Sequence, residues 1–592
     1  MYKVRSILVL FLLSLMHAGV AHAQWVQTNG PYGGMINSLA VSGTNLFAGI
    51  GGGVFRSTNN GTSWTVVNNG LTNTSVLALA MTVPATAANW PGWRGPDGTG
   101  VSSEKNLPLQ WSRNENVRWR VELPGPGNSS PVVWGNLVFI AQALAQEGRR
   151  TLMCFDRAQG KLLWQAGMSY AEREPTSPSN PYCSGTPVTD GEHVFVCFGS
   201  AGVSAYDFAG KEMWHRDLGK LAHMHGNAVS PVLYHDLCIL NFGPGDKARL
   251  IALQKKSGQT AWEVTLAKPQ TQLAAQIFAE ADQNRDQKLT QDEFTALADA
   301  WFGKMEPDKS GESIAPGQFS EEIRTAFFLA YRERNQDSSL TREEFRMVFA
   351  KWFAEWDADK SGSLNEVELR DGLSSLLSRG LGTPSGSWST PLIIKANERD
   401  ELVFASINRL TAYEPESGKQ LWLSNGLDDF VHATPLWGDG VLVAMSGGWM
   451  GGSAIAIKPG GSGDVTESRR LWRLERVKSS IGSGVIHDGH LYTISRDGTA
   501  ACFDLKTGTR VWDERLRGPT GQKNSWSSML FADGKIYVPN QSGDVFVLRA
   551  SPKFEILATN SINEPTNASL AASDGELFLR TDKSLWCFAK AK

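Results

Sequence analysis

Cysteine is scarce: six in 592 residues, too few to staple a chain of this length, so packing must do most of the stabilising. An excess of either charge is also missing. Fifty-seven Lys and Arg stand against 60 Asp and Glu, a net charge of −3, which leaves no basic field to hold nucleic acid. Charged residues make up only 20% of the chain, and that, with its glycine content, excludes a coiled coil. The apolar run Ile7 to Leu15 is well short of the roughly 20 residues that span a bilayer, and nothing later approaches that length. What the chain does have is 60 Gly, 21 Trp and 26 Phe, the composition of turn-rich, aromatic-packed β structure. A hydrophobic content of 41% supports a large core and excludes global disorder.

Lys3 and Arg5 precede that apolar run, and Ala21-His22-Ala23 precedes Gln24. A charged start, a short apolar stretch and an A-x-A site predict a cleavable signal peptide over 1–23 and a periplasmic or secreted product. No Cys follows the run, so a lipid anchor is not indicated.

Internal repeats dominate the rest. A Gly followed four residues later by Trp recurs as Gly160/Trp164, Gly210/Trp214, Gly258/Trp262, Gly418/Trp422 and Gly508/Trp512. Each pair follows a short apolar strand, such as Leu152 to Asp156 or Ala500 to Asp504. Further upstream stands a Ser/Thr-Pro strand start (Ser130-Pro131, Thr186-Pro187, Ser230-Pro231, Thr390-Pro391, Thr434-Pro435) and a hairpin with Asp-Gly at its turn, as at Asp439-Gly440 and Asp533-Gly534. Each repeat, about 40–50 residues long, reads as four antiparallel strands, one propeller blade. Strand starts near Ser129, Gly185, Val229, Ser389, Ala433, Gly482, Ser527 and Ala568 count eight. The seventh repeat lacks its Trp. The eighth stops at Leu585-Trp586-Cys587-Phe588 without an outer strand, and Val117-Arg118-Trp119-Arg120-Val121 is expected to supply it and close the ring.

These repeats resemble the pyrroloquinoline-quinone-type (PQQ-like) propellers, from quinoprotein dehydrogenases to the outer-membrane assembly scaffold lipoprotein, over about residues 115–268 and 384–590. Trp90-Pro91-Gly92-Trp93-Arg94-Gly95-Pro96 is similar to the segment that precedes such propellers in secreted bacterial proteins. In quinoprotein enzymes the quinone lies in the axial channel under an adjacent Cys-Cys pair. No two adjacent cysteines occur here, so PQQ is not expected.

Roughly 110 surplus residues near 269–378 interrupt the repeats, and there the pattern switches to acidic helices. Gln272 to Ala281 and Gln291 to Phe302 show helical apolar spacing around Asp282 to Glu293, whose oxygen side chains fall at loop positions 1, 3, 5, 9 and 12 with an aliphatic at 8: the EF-hand arrangement. Asp357 to Glu368 repeats it with Gly362 at position 6. Asp282, Asn284 and Asp286 would ligate Ca²⁺ through side chains, Lys288 through its carbonyl and Glu293 bidentately. Asp357, Asp359, Ser361, Ser363 (carbonyl) and Glu368 take those parts in the other loop. Gln287 stands where the sharp turn favours Gly, at a cost of about 1 kcal/mol, so 357–368 is expected to bind more tightly. Loops near 306–319 and 333–344 are degenerate. Four loops in sequence predict two EF-hand pairs, each with one strong member.

Residues 25–81 resemble a sialidase-type Asp-box repeat, Ser57-Thr58-Asn59-Asn60-Gly61-Thr62-Ser63-Trp64, with Asn59 where Asp is usual. A small sheet is expected there, and a chimeric fragment is the alternative. The Asp box is a strand-tying turn, so no sialidase activity follows from it.

The fold expected is thus mainly β: an eight-bladed β-propeller with an all-α EF-hand insertion between blades 3 and 4. The chain divides into 1–23, 24–83, 84–268, 269–380 and 381–592. Inner-strand starts place His225, Asn227, Trp388, His432, Asn524 and Trp526 at the channel mouth, with Asp428 and Asp429 just upstream. Of these, His225, Trp388, His432 and Trp526 are candidate ligand-binding residues for a sugar or peptide. No catalytic set is legible, and Cys183 and Cys197 flank a hairpin where a disulfide can form. The function expected is an exported, monomeric Ca²⁺-binding scaffold for a protein or glycan partner. The alternatives are a quinoprotein dehydrogenase and a polysaccharide-binding or -cleaving propeller.

Overall fold

The Gly-Trp spacing becomes a strand register in the three-dimensional structure, a computed structural model. It describes residues 30–31, 35–42, 45–59, 61–68, 71–72, 74–77, 89–221, 223, 225–245, 247–266, 269–304, 313–314, 330, 340–380, 387–428, 430–447, 452–521 and 524–590. The expected signal peptide lies outside them, as does most of the 306–319 and 333–344 loops. Two units are distinguished, Met1–Thr86 and Ala87–Lys592.

In the first unit Ile36–Ser42, Asn45–Ile50, Gly53–Ser57 and Thr65–Val66 form one antiparallel meander. Its last turn is tied internally: Gly61 N–H donates to Ser57 Oγ (2.9 Å), and Ser63 N–H to Asn59 Oδ1 (2.9 Å).

The described residues of the second unit form eight antiparallel four-stranded sheets, two of which gain a short parallel fifth strand. This is a mainly β, propeller-like fold. Seven sheets are meanders along the chain. The eighth joins Ala571–Ser573, Glu576–Arg580 and Ser584–Phe588 to Val117–Glu122, with Trp119 opposite Cys587. One rule governs seven sheets: the fourth-strand Trp lies opposite a small residue on the third strand. The partners are Cys154, Ala205, Ala252, Ala412, Ala456, Cys502 and Cys587. In the seventh sheet Ala558 faces Val547 instead. A register shift beside this position recurs in all eight and re-aims the outer strand.

That geometry turns each indole toward the following sheet. Trp119, Trp164, Trp214, Trp262, Trp472 and Trp512 donate their Nε1–H to the carbonyls of Arg157, Phe208, Lys255, Pro415, Leu505 and Ser551. The turn glycines Gly160, Gly210, Gly258, Gly418 and Gly508 pack on the preceding sheet's indole. A Cβ there would come within 2.6–2.8 Å of the ring, so only Gly fits. Trp422 keeps the register but departs from this hydrogen bond to the following sheet. Its repeat is followed by a longer excursion, whose Gly463–Asp464 adds the fifth strand, and Trp422 donates to buried Glu401 instead.

An inner belt of hydroxyls repeats the closure. The N–H groups of Thr434, Ser483, Ser528, Ser569, Ser130 and Thr186 donate in turn to Ser483, Ser528, Ser569, Ser130, Thr186 and Ser230. At the seam between the eighth and first sheets, buried Arg157 pairs with Glu576 (2.8 Å), and Arg580 donates to Ala141 O (2.6 Å).

The insertion follows the third sheet. Helices α1 (Pro269–Ala281), α2 (Gln291–Gly303), α3 (Arg342–Trp356) and α4 (Glu366–Gly380) share a core that includes Phe294, Trp301, Phe349 and Trp352. It is not purely α. Leu289–Thr290 pairs with Ser363–Leu364, and Ser313–Ile314 with Leu340–Thr341. The loop pairing therefore differs from the sequence expectation. The two well-formed loops face each other, because α1 packs with α4 and α2 with α3. Leu289 and Leu364, at position 8 of each loop, are fully buried where the two strands meet.

All six cysteines are free buried thiols. The suggested Cys183–Cys197 disulfide is absent because the two side chains enter different apolar clusters. Burial raises both thiols to about 12.

Candidate functional site

The two acidic loops have the same backbone. Positions 4 and 6 are left-handed in both, Arg285 (φ 58) and Gln287 (φ 63) in one, Lys360 (φ 56) and Gly362 (φ 80) in the other. The first carboxylate organises each loop. Asp282 accepts from Asp286 N–H (3.2 Å) and Gln287 N–H (3.0 Å). Asp357 accepts from Ser361 N–H (2.9 Å) and Gly362 N–H (2.9 Å).

The loops differ at position 12. Glu293 closes a capping box at the start of α2, taking Thr290 N–H (2.9 Å) and Oγ1–H (2.8 Å) on one oxygen. Glu368 uses one oxygen likewise, toward Asn365, while its other oxygen reaches back to Ala358 N–H (3.1 Å). Consequently Asp357, Asp359 and Glu368 each bring a carboxylate oxygen within 4.8 Å of the others, and they are the single such acidic group among the described residues. Hydrogen bonds from Ser361 lower Asp359 below its ordinary carboxylate value. Ser361 Oγ sits beside Ser363 O at 2.9 Å. These oxygens match the hard donor set that a Ca²⁺ ion takes. In the other loop Asp282, Asp286 and Glu293 do not converge in this way, and Asn284 Nδ2–H donates to Asp286 instead (3.1 Å).

A second site lies on the axis of the sheets, a cavity of about 460 Å³. It brings together all four sequence candidates, His225, Trp388, His432 and Trp526, and also Asn524. Asn227 and Asp428 are not in its wall, and Asp429 lies outside the described residues. Trp388 is fixed: its Nε1–H donates to Gly226 O (3.0 Å), and its ring stacks on His432 at 4.9 Å and 18°. Burial, with the positive fields of His225 and Arg496, lowers His432 to about 4, so its imidazole is neutral.

Sequence reasoning missed Arg496, Asn128, Phe430 and Trp93. The lead-in segment explains the last. Trp90 bridges Val133, Trp93 donates to Thr434 Oγ1 (3.0 Å), and Val101–Ser102 joins the seventh sheet. Buried Arg94 donates to the carbonyls of Gly98, Thr99, Ser483 and Gly484. The segment thus threads the inner strands of several sheets. The Trp-x-x-Trp-Arg cluster was its one sequence signal.

Residues 110–287 and 383–592 match the family described as outer membrane protein assembly factor BamB. Among solved structures, BamB from Moraxella catarrhalis is similar at 12% identity and a TM-score of 0.45, covering 80% of this chain and 97% of that one. A europium-containing methanol dehydrogenase is similar at 9% identity and 0.41, covering 85% and 98%. A quinohemoprotein alcohol dehydrogenase from Comamonas testosteroni is similar at 12% and 0.36, covering 85% and 81%. No curated protein matches the chain.

Proposed function

The chain belongs to the family of the outer membrane protein assembly factor BamB, and from that premise we propose that it is an exported, calcium-binding interaction scaffold. Its eight sheets are the blades of one closed propeller, and the helical insertion is an EF-hand module that holds Ca²⁺. The convergence of Asp357, Asp359 and Glu368 carries the reading. Ca²⁺ takes six to eight oxygens at about 2.3–2.6 Å. Asp357, Asp359 and Ser361 would supply side-chain oxygens, Ser363 its carbonyl, Glu368 both carboxylate oxygens, and Asn365 a direct or water-mediated contact. Asp282, Asn284, Asp286, Lys288 and Glu293 form the second site, weaker because Glu293 must leave its cap to complete it.

The bound ion would supply fixed positive charge between two acidic loops. That charge ties α1 to α4 across the Leu289–Leu364 pairing and orders the face that the insertion offers to a partner. Family membership supports a protein partner, and the sequence start supports export to the periplasm or beyond. No helix among the described residues is long and apolar enough to cross a membrane.

Titration calorimetry of the full chain with CaCl₂ tests the metal site. The expected result is saturable heat that is strongly reduced in Glu368→Gln. No heat, or heat unchanged in that variant, would contradict it.

A further inference from the structure

The axial cavity carries a separate inference, independent of the calcium loops. Three buried polar atoms in its wall have no hydrogen-bond partner: Trp526 Nε1–H, Asn128 Oδ1 and His432 Nδ1. Leaving such atoms unsatisfied costs on the order of 1–3 kcal/mol each, so their clustering around one cavity points to a ligand. Their polarities narrow its chemistry. The indole can only donate and the amide oxygen only accept, and neutral imidazole does one or the other according to tautomer. Asn128 is fixed in this sense because its Nδ2 already donates to Ser179 O (2.9 Å). A ligand that only accepts, such as a flat polycarbonyl acid, leaves Asn128 unmet. A polyhydroxylated one meets all three, since each hydroxyl both donates and accepts.

The remaining wall agrees. Trp388, Trp526 and Phe430 add aromatic side chains to the wall, the kind of surface on which a pyranose packs. Arg496 contributes positive charge, and no Asp or Glu is among the described lining residues. Eight serine and threonine residues complete a wall rich in short polar groups.

We propose that this cavity binds an acidic carbohydrate, a uronic acid residue or a glycan end bearing one. Trp526 Nε1–H and Asn128 Oδ1 engage ring hydroxyls, and Arg496 faces the carboxylate. Titration of the full chain with glucuronate and, in parallel, glucose is the test. Saturable binding of glucuronate is expected, with glucose about tenfold weaker for want of the charge-assisted contact. Trp526→Phe keeps an aromatic ring but removes the N–H together with the five-membered ring that bears it, and is expected to weaken glucuronate about tenfold. Arg496→Gln is expected to bring glucuronate down to the level of glucose. Melting curves and the calcium titration verify that each variant is folded. Absence of glucuronate binding, equal binding of the two sugars, or full affinity in both variants would overturn the proposal. None of these outcomes bears on the calcium reading, which is read at a different site.

Discussion

Trp119 is the side chain on which the eighth sheet depends. It lies opposite Cys587, donates to Arg157 O at 2.7 Å, and carries Gly160 against its ring, thereby linking the two ends of the propeller chain. Trp119→Ala removes a buried indole and its hydrogen bond together. The expected loss is about 3–5 kcal/mol in urea unfolding, against a smaller effect for the more exposed Trp512→Ala. His432 gives the residue-scale pH dependence. Its folded value of about 4 lies below the usual 6.5, so between those limits the unfolded chain binds the extra proton. The stability it contributes is fully present above pH 6.5 and is lost as pH falls toward 4. His432→Phe is expected to flatten that part of the melting-temperature profile. The indole was legible in the sequence because its signal is a local spacing. Arg496 was not, since it sits in a turn and only the ring brings it beside Trp526.

At the scale of elements, the loops show how much a spacing fixes. The spacing of the oxygen side chains and the left-handed turn at Gln287 follow from the sequence pattern. Which loop pairs with which does not, because it depends on α1 meeting α4 across the insertion's core, a contact between segments roughly 90 residues apart. The same limit hid the lead-in segment's role: Arg94 meets Ser483, 389 residues away. Gln287 at φ 63 pays for a conformation that Gly adopts freely. Gln287→Gly is therefore expected to stabilise the insertion by about 1 kcal/mol, and Gly362→Ala to destabilise it by a similar amount. The melting of the insertion, followed by circular dichroism at helical wavelengths, reads both.

On the scale of the whole molecule, the ring and the insertion divide the work. Trp262 donates to Pro415 O at 3.0 Å, so the link from third to fourth sheet is made directly by the ring and does not run through the helices. The repeated indole link and the hydroxyl belt hold the sheets without any metal, whereas the paired loops are the proposed seat of the ion. Calcium response is therefore expected in the insertion and constancy in the propeller. Hydrogen exchange of the full chain with and without Ca²⁺ measures this directly. Slowed exchange is expected only in 282–293, 357–368 and the helices flanking them, with the eight sheets unchanged. Exchange unaltered by Ca²⁺ throughout, or slowed mainly in the sheets, would contradict it.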